Sequence, residues 1–133
     1  MQYTLPYGKT SQTITIPENY SVEYVSGKKI DTPSFEKLIS QAFDHPLDTP
    51  LLSDIVRSGD SVVIVVDDHT RPCPSKQLLP IVLGELKKGG VSDSDITILI
   101  GTGTHSPPTP DQISQLLGKQ IVHNYNVISN DNQ

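Results

Sequence analysis

Two short stretches concentrate the side chains able to do chemistry. Asp67-Asp68-His69-Thr70-Arg71-Pro72-Cys73-Pro74-Ser75 follows the apolar run Val62–Val66, and Gly101-Thr102-Gly103-Thr104-His105 follows the apolar run Ile96–Ile100. A guanidinium held in a proline-flanked turn can bind a carboxylate or phosphate bidentately, which makes Arg71 a candidate anion ligand. The competing role for Arg71 is an ion pair with Asp67 or Asp68. Asp68 could orient Arg71 or accept a hydrogen bond from a substrate hydroxyl, whereas Asp67 reads as a solvated neighbour or helix cap. An imidazole ordinarily changes charge near neutrality. His105, between a glycine-rich turn and a proline run, therefore suits a general acid or base; its alternative is a polar loop residue bonded to backbone. Gly101 and Gly103 free the backbone to approach an anion, and Thr102 and Thr104 add hydroxyls.

Neither stretch is a standard nucleotide motif. A P-loop needs a lysine after its second glycine, and the dinucleotide fingerprint needs a third glycine; both are missing. No His, Cys or Asp pair has the spacing of a zinc or non-haem iron site on one element, so no metal ligand is assigned. Cys73, flanked by prolines, reads as structural rather than nucleophilic. Of the remaining histidines, His69 reads as a brace of its loop. His45 reads as a helix C-terminal cap and His123 as a surface residue.

Hydrophobic periodicity supplies the elements that must position these loops. Residues 2–26 read as short strands, with Gln12-Thr13-Ile14-Thr15-Ile16-Pro17 alternating. Phe35, Leu38, Ile39, Ala42 and Phe43 recur at the spacing of a core-facing helix over 33–46, with Thr32 as N-cap and Pro33 at its first position. A shorter helix over 51–58 stops at Gly59. From Ser61 a strand (61–67), a helix (76–90), a strand (95–101), a helix (111–118) and a strand near 124–129 alternate as a βαβαβ unit. Pro80 lies in the first turn of its helix or kinks it. Strands that are apolar throughout imply an α/β fold, with a Rossmann-like parallel or mixed sheet buried on both faces by helices and preceded by the short N-terminal strands. In open α/β sheets ligands bind beyond the carboxyl ends of the strands. If the strands 61–67 and 95–101 are neighbours, Asp68, Arg71 and His105 converge on one edge.

At 133 residues the chain fits one domain. A net charge of −5 without a basic run argues against a nucleic-acid surface, and nothing supports membrane binding. The single cysteine and polar N-terminus point to a reducing, cytoplasmic setting. Eleven prolines and nine glycines cluster between periodic segments and mark structured turns.

The pair Asp68-His69-Thr70-Arg71-Pro72 and Thr102-Gly103-Thr104-His105, with the segments 3–18 and 42–66 beside it, resembles the N-terminal domain of the lactate racemase family, enzymes that depend on a nickel-pincer nucleotide. The resemblance spans nearly the whole chain. It implies a racemase or epimerase of 2-hydroxy acids, in which hydride passes from the substrate α-carbon to the nickel-pincer nucleotide and histidines trade the hydroxyl proton. His105 matches the catalytic histidine of the family's first loop, Arg71 the residue that holds the substrate carboxylate, and Asp68 a residue that organises the site. Asp68, Thr70, Thr102 and Gly103 are the implied cofactor-binding positions. Ser106 stands where the family commonly has arginine, one phosphate or substrate contact fewer. The family's second histidine, cofactor-bearing lysine and nickel-binding histidine belong beyond residue 133. Residues 1–133 are accordingly expected to be the N-terminal cleft domain of a longer two-domain enzyme, partnered by the rest of that protein and inactive alone. The competing expectation is a stand-alone anion- or nucleotide-binding module.

Overall fold

The computed structural model describes residues 1–23 and 25–130, which fall into two compact units, Met1–Thr32 and Pro33–Gln133. In the first, β1 (Gln2–Tyr7) and β2 (Thr10–Thr15) pair as an antiparallel hairpin. Its turn runs through Gly8 at φ +57°, a conformation open to glycine but costly for residues with a Cβ. The strands end sooner than the expected span of 2–26, because Pro17 has no N–H to continue the ladder and a polar turn follows. Leu5, Tyr7 and Ile14 are exposed.

The second unit runs α1 (Phe35–Asp44), α2 (Leu52–Ile55), β3 (Val62–Asp67), α3 (Ser75–Lys88), β4 (Ile96–Gly101), α4 (Pro110–Leu117), α5 (Lys119–Asn124) and β5 (Asn126–Ser129). Strands β3, β4 and β5 form a parallel sheet in chain order, with Asp67 opposite Gly101 and Ile100 opposite Ser129. The α/β class, with parallel strands joined through helices, follows from the apolar runs.

The core lies between this sheet and the crossover helices. Ile96, Ile98 and Ile100 alternate along β4 and point one way, each at 0% exposure. Leu79, Leu83 and Leu86 meet them from one stripe of α3, and Leu117 and Ile121 close the cluster. Each fully buried Leu or Ile contributes about 1.5–3 kcal/mol relative to exposure. Pro80 is the sixth residue of α3 and exposed; it deletes one helical hydrogen bond, yet the helix continues for eight residues to Lys88.

Strand order decides which sheet face is covered. Parallel strands laid side by side in one direction, joined by right-handed crossovers, put α3 and the α4–α5 pair on the same face. On the other face Val63 is 57% exposed, Val65 66% and Ile128 47%. The expectation that Val62–Val66 is enclosed on both sides is corrected accordingly: β3 is an edge strand, and only Val62, Ile64 and Val66 turn towards the helices, half-buried.

Two readings of α1 also change. Its N-cap is Ser34, whose Oγ accepts the Lys37 N–H at 3.3 Å, while the Thr32 hydroxyl donates to the Ile30 carbonyl. Pro33 therefore precedes the cap. The apolar stripe is present, but Phe35, Ile39 and Phe43 are only half-buried, Leu38 and Ala42 are exposed, and no residue of α1 is buried. Amphipathicity fixes which face can be covered, not that a partner lies there. Near α2, Gly89 at the end of α3 leaves no space for a side chain: a Cβ there would lie 2.4 Å from Val56 Cγ2 and 2.7 Å from the Ser53 carbonyl oxygen. No helix among the described residues is long and apolar enough to cross a membrane.

Candidate functional site

Because β3 and β4 are parallel neighbours, the loops that follow them leave from the same rim of the sheet. Asp67 ends β3 and Gly101 ends β4, directly opposite each other. Asp68 and Thr102 are thus the first residues past paired strand ends. Both are buried, at 3% and 2% exposure.

Asp68 organises the first loop and reaches the second. Its Oδ1 accepts the Thr70 N–H at 2.8 Å and the Thr70 hydroxyl at 2.6 Å, an Asx-type turn that closes when the Asp68 carbonyl accepts the Arg71 N–H at 3.2 Å. Its Oδ2 lies 2.5 Å from His105 Nδ1, across 37 residues of sequence. The Thr70 hydroxyl, then His105 and the Thr70 N–H, hold the Asp68 carboxyl well below the usual carboxylate range. An ionised carboxylate only accepts, so the proton in the His105–Asp68 bond sits on Nδ1. With the proton on Nδ1, the basic lone pair of an uncharged imidazole is the one on Nε2, on the side of the ring away from Asp68. The His105 side chain is 44% exposed.

Arg71 follows on the same turn, exposed, and its guanidinium makes no hydrogen bond or ion pair among the described residues. The ion pair with Asp67 or Asp68 weighed for it is not formed, since the Asp68 oxygens face Thr70 and His105. Thr70 is exposed with its hydroxyl turned to Asp68. His69 and Asp67 are exposed beside them. Cys73, partly buried, lines an apolar cleft with Val66, Leu78 and Gly101 between β3 and α3.

In the second loop only Gly103 uses glycine's freedom, at φ +59°, with open space where a Cβ would stand. Gly101, expected to do the same, is still strand, held opposite Asp67. The His105 N–H donates to the Thr102 carbonyl at 3.0 Å, folding the histidine back over the strand end. Thr109 and Gln112 then form a capping box that starts α4, with Pro110 at its head. That box was readable as Thr-Pro-Asp-Gln.

One contributor is absent from the sequence-based set. Asn130, just past β5, accepts the Thr102 N–H at 2.6 Å and the Thr102 hydroxyl at 2.8 Å on Oδ1, and its Nδ2 donates to the Gly103 carbonyl at 3.3 Å. Nothing in the Asn-rich end of the sequence singles it out. His45 is the C-cap of α1, its N–H bound to the Gln41 carbonyl, and His123 is exposed on α5. Among the described residues no group of three His, Cys, Asp or Glu side chains is placed to hold a metal ion. The arrangement offers a carboxylate-oriented imidazole and an unengaged guanidinium on one rim, which can hold a small anion and move a proton.

Three comparisons bear on this geometry. The family described as lactate racemase N-terminal domain matches residues 7–133. The lactate racemase of Thermoanaerobacterium thermosaccharolyticum is 30% identical over 133 residues, covering 97% of this chain and 31% of that protein. The lactate racemase of Lactiplantibacillus plantarum is 33% identical over 127 residues, covering 93% of this chain and 30% of its own length. The structure of the Thermoanaerobacterium thermosaccharolyticum lactate racemase apoprotein superposes with a TM-score of 0.75 at 30% identity, over 98% of this chain and 30% of that one. The chain thus spans about 30% of the length of the curated relatives it matches.

Proposed function

The chain belongs to the lactate racemase N-terminal domain family, and on that premise we propose that it supplies the arginine-and-histidine side of an active site that racemises a small 2-hydroxy acid such as lactate. Arg71 binds the substrate carboxylate as a fork. His105 takes the hydroxyl proton at Nε2 and returns it, and Asp68 fixes the tautomer that makes this possible. The backbone around Thr102 and Gly103, with Thr70, borders the space for the cofactor. The observation that carries the reading is the 2.5 Å contact of His105 Nδ1 with Asp68, on the same rim as the Arg71 turn.

In this reading the hydride chemistry belongs to a nickel-pincer nucleotide carried outside residues 1–133. Among the described residues no group of three His, Cys, Asp or Glu side chains forms a metal-ligand set. The rest of a racemase-length polypeptide, in the cytoplasm, provides the opposite wall and the second proton carrier.

The test has two arms. In a racemase-length protein containing this chain, His105→Asn should lower kcat for lactate racemisation by about 10²-fold or more. Residues 1–133 alone, given lactate and the nickel-pincer nucleotide, should not racemise it. Full activity of His105→Asn, or racemisation by the short chain, would overturn the reading. Tight binding of phosphate or a mononucleotide to the short chain by calorimetry would favour the stand-alone binding module instead.

A further inference from the structure

We infer that Asn130 is a positioning residue for His105, acting from the strand on the far side of β4. The geometry is that of a side-chain clamp. Asn130 continues β5 by one residue, its N–H donating to the Ile100 carbonyl at 3.2 Å. Its amide then reaches over the end of β4 and pairs with two consecutive residues of the histidine loop: Oδ1 takes both the N–H and the hydroxyl of Thr102, and Nδ2 gives to the Gly103 carbonyl. Only a carboxamide offers an acceptor and a donor at this separation. Thr102 is 2% exposed, so water cannot replace the bonds it would lose.

What Asn130 holds is the hinge of the turn that carries His105. The Thr102 carbonyl accepts the His105 N–H, so Thr102 is the fixed end from which the imidazole is projected. The ring is then caught by Asp68 from β3. His105, borne on the middle strand, is thereby located from both neighbouring strands: Asp68 sets its ring, and Asn130 sets its backbone. Gly103, at φ +59°, gives the turn no stiffness of its own, which is why an external clamp matters here.

The inference rests on the racemase reading only for calling the His105 proton useful; the positional claim is independent of turnover. Its test uses ¹⁵N-labelled chain 1–133, comparing the native protein with Asn130→Ala and Asn130→Asp. Asn130→Asp keeps the acceptor for Thr102 and removes the donor to Gly103. In Asn130→Ala, amide exchange at Thr102 and His105 should rise about tenfold or more relative to Ile96 and Ile98. The His105 ring ¹⁵N signals should also move from the Nδ1–H pattern towards a mixture of tautomers. Asn130→Asp should retain slow Thr102 exchange and the native ring pattern. An unchanged His105 ring pattern in Asn130→Ala overturns the inference, as does exchange rising equally throughout β4. Should Asn130→Ala fail to fold, Asn130→Ser, whose hydroxyl is too short to pair with both Thr102 and Gly103, takes its place under the same two criteria. No racemase assay enters, so an inactive enzyme and a failed clamp are separate results.

Discussion

The chemistry of single residues is concentrated on Asp68. Its carboxyl is held well below the usual range chiefly by the Thr70 hydroxyl, then by His105 and the Thr70 N–H. A depressed carboxyl stabilises the fold above its unfolded value, about pH 4, and that contribution is lost as pH falls towards the lower folded value. Asp68→Asn should therefore flatten the acid limb of a urea-midpoint profile between about pH 4 and pH 2 while lowering stability at neutrality. An equally steep acid limb in the variant would mean that another carboxyl is responsible. Arg71→Lys keeps the charge and loses the fork, so in a racemase-length enzyme KM for lactate should rise about tenfold with a smaller change in kcat. At this scale the shared rim of Arg71, Asp68 and His105 was legible, because each stands just past an apolar run and the two runs pair as neighbours. It was silent on Asn130, whose importance comes from a partner 28 residues earlier that only the sheet brings near. The placement of Asp68 near His105 was legible from the neighbouring strands; its hydrogen bonds to Thr70 and to the His105 ring were not.

At the scale of elements, periodicity located strands and helices well and their surroundings less well. The repeats of β4 and α3 match their burial, since both partners lie within the chain. Those of β3 and α1 do not, because the same pattern arises whether or not a covering element is present. Helix α5 has no clear signature in the sequence: six residues after Gly118 carry too little periodicity. Two substitutions test the element boundaries. Pro80→Ala restores the missing N–H in α3 and should stabilise the chain by about 1–3 kcal/mol in chemical denaturation. Gly89→Ala forces a Cβ against Val56 and the Ser53 carbonyl and should destabilise it by about 1–3 kcal/mol, read from the same curves. A neutral Gly89→Ala would mean that the α2 segment yields freely.

Across the whole molecule, the sheet has one dressed face and one bare one. Ile98→Ala on the dressed side should cost about 2–5 kcal/mol, whereas Val65→Thr on the bare side, at 66% exposure, should change stability by less than about 0.5 kcal/mol. Sedimentation should also show Val63→Thr/Val65→Thr less prone to self-association than the native chain, since the pair removes the two most exposed apolar side chains of the parallel sheet. Equal costs for the Ile98 and Val65 changes would show that the bare face is covered in solution. The clamp on the histidine loop also has a consequence in time. Asn130 is made 25 positions after His105, and parallel pairing of β5 on β4 must come first, so on a ribosome the ring can meet Asp68 while the backbone of its loop stays unclamped until synthesis has passed β5. Final placement of the histidine loop is therefore a late event in the life of the nascent polypeptide, well after the hydrophobic interior beneath it has begun to close.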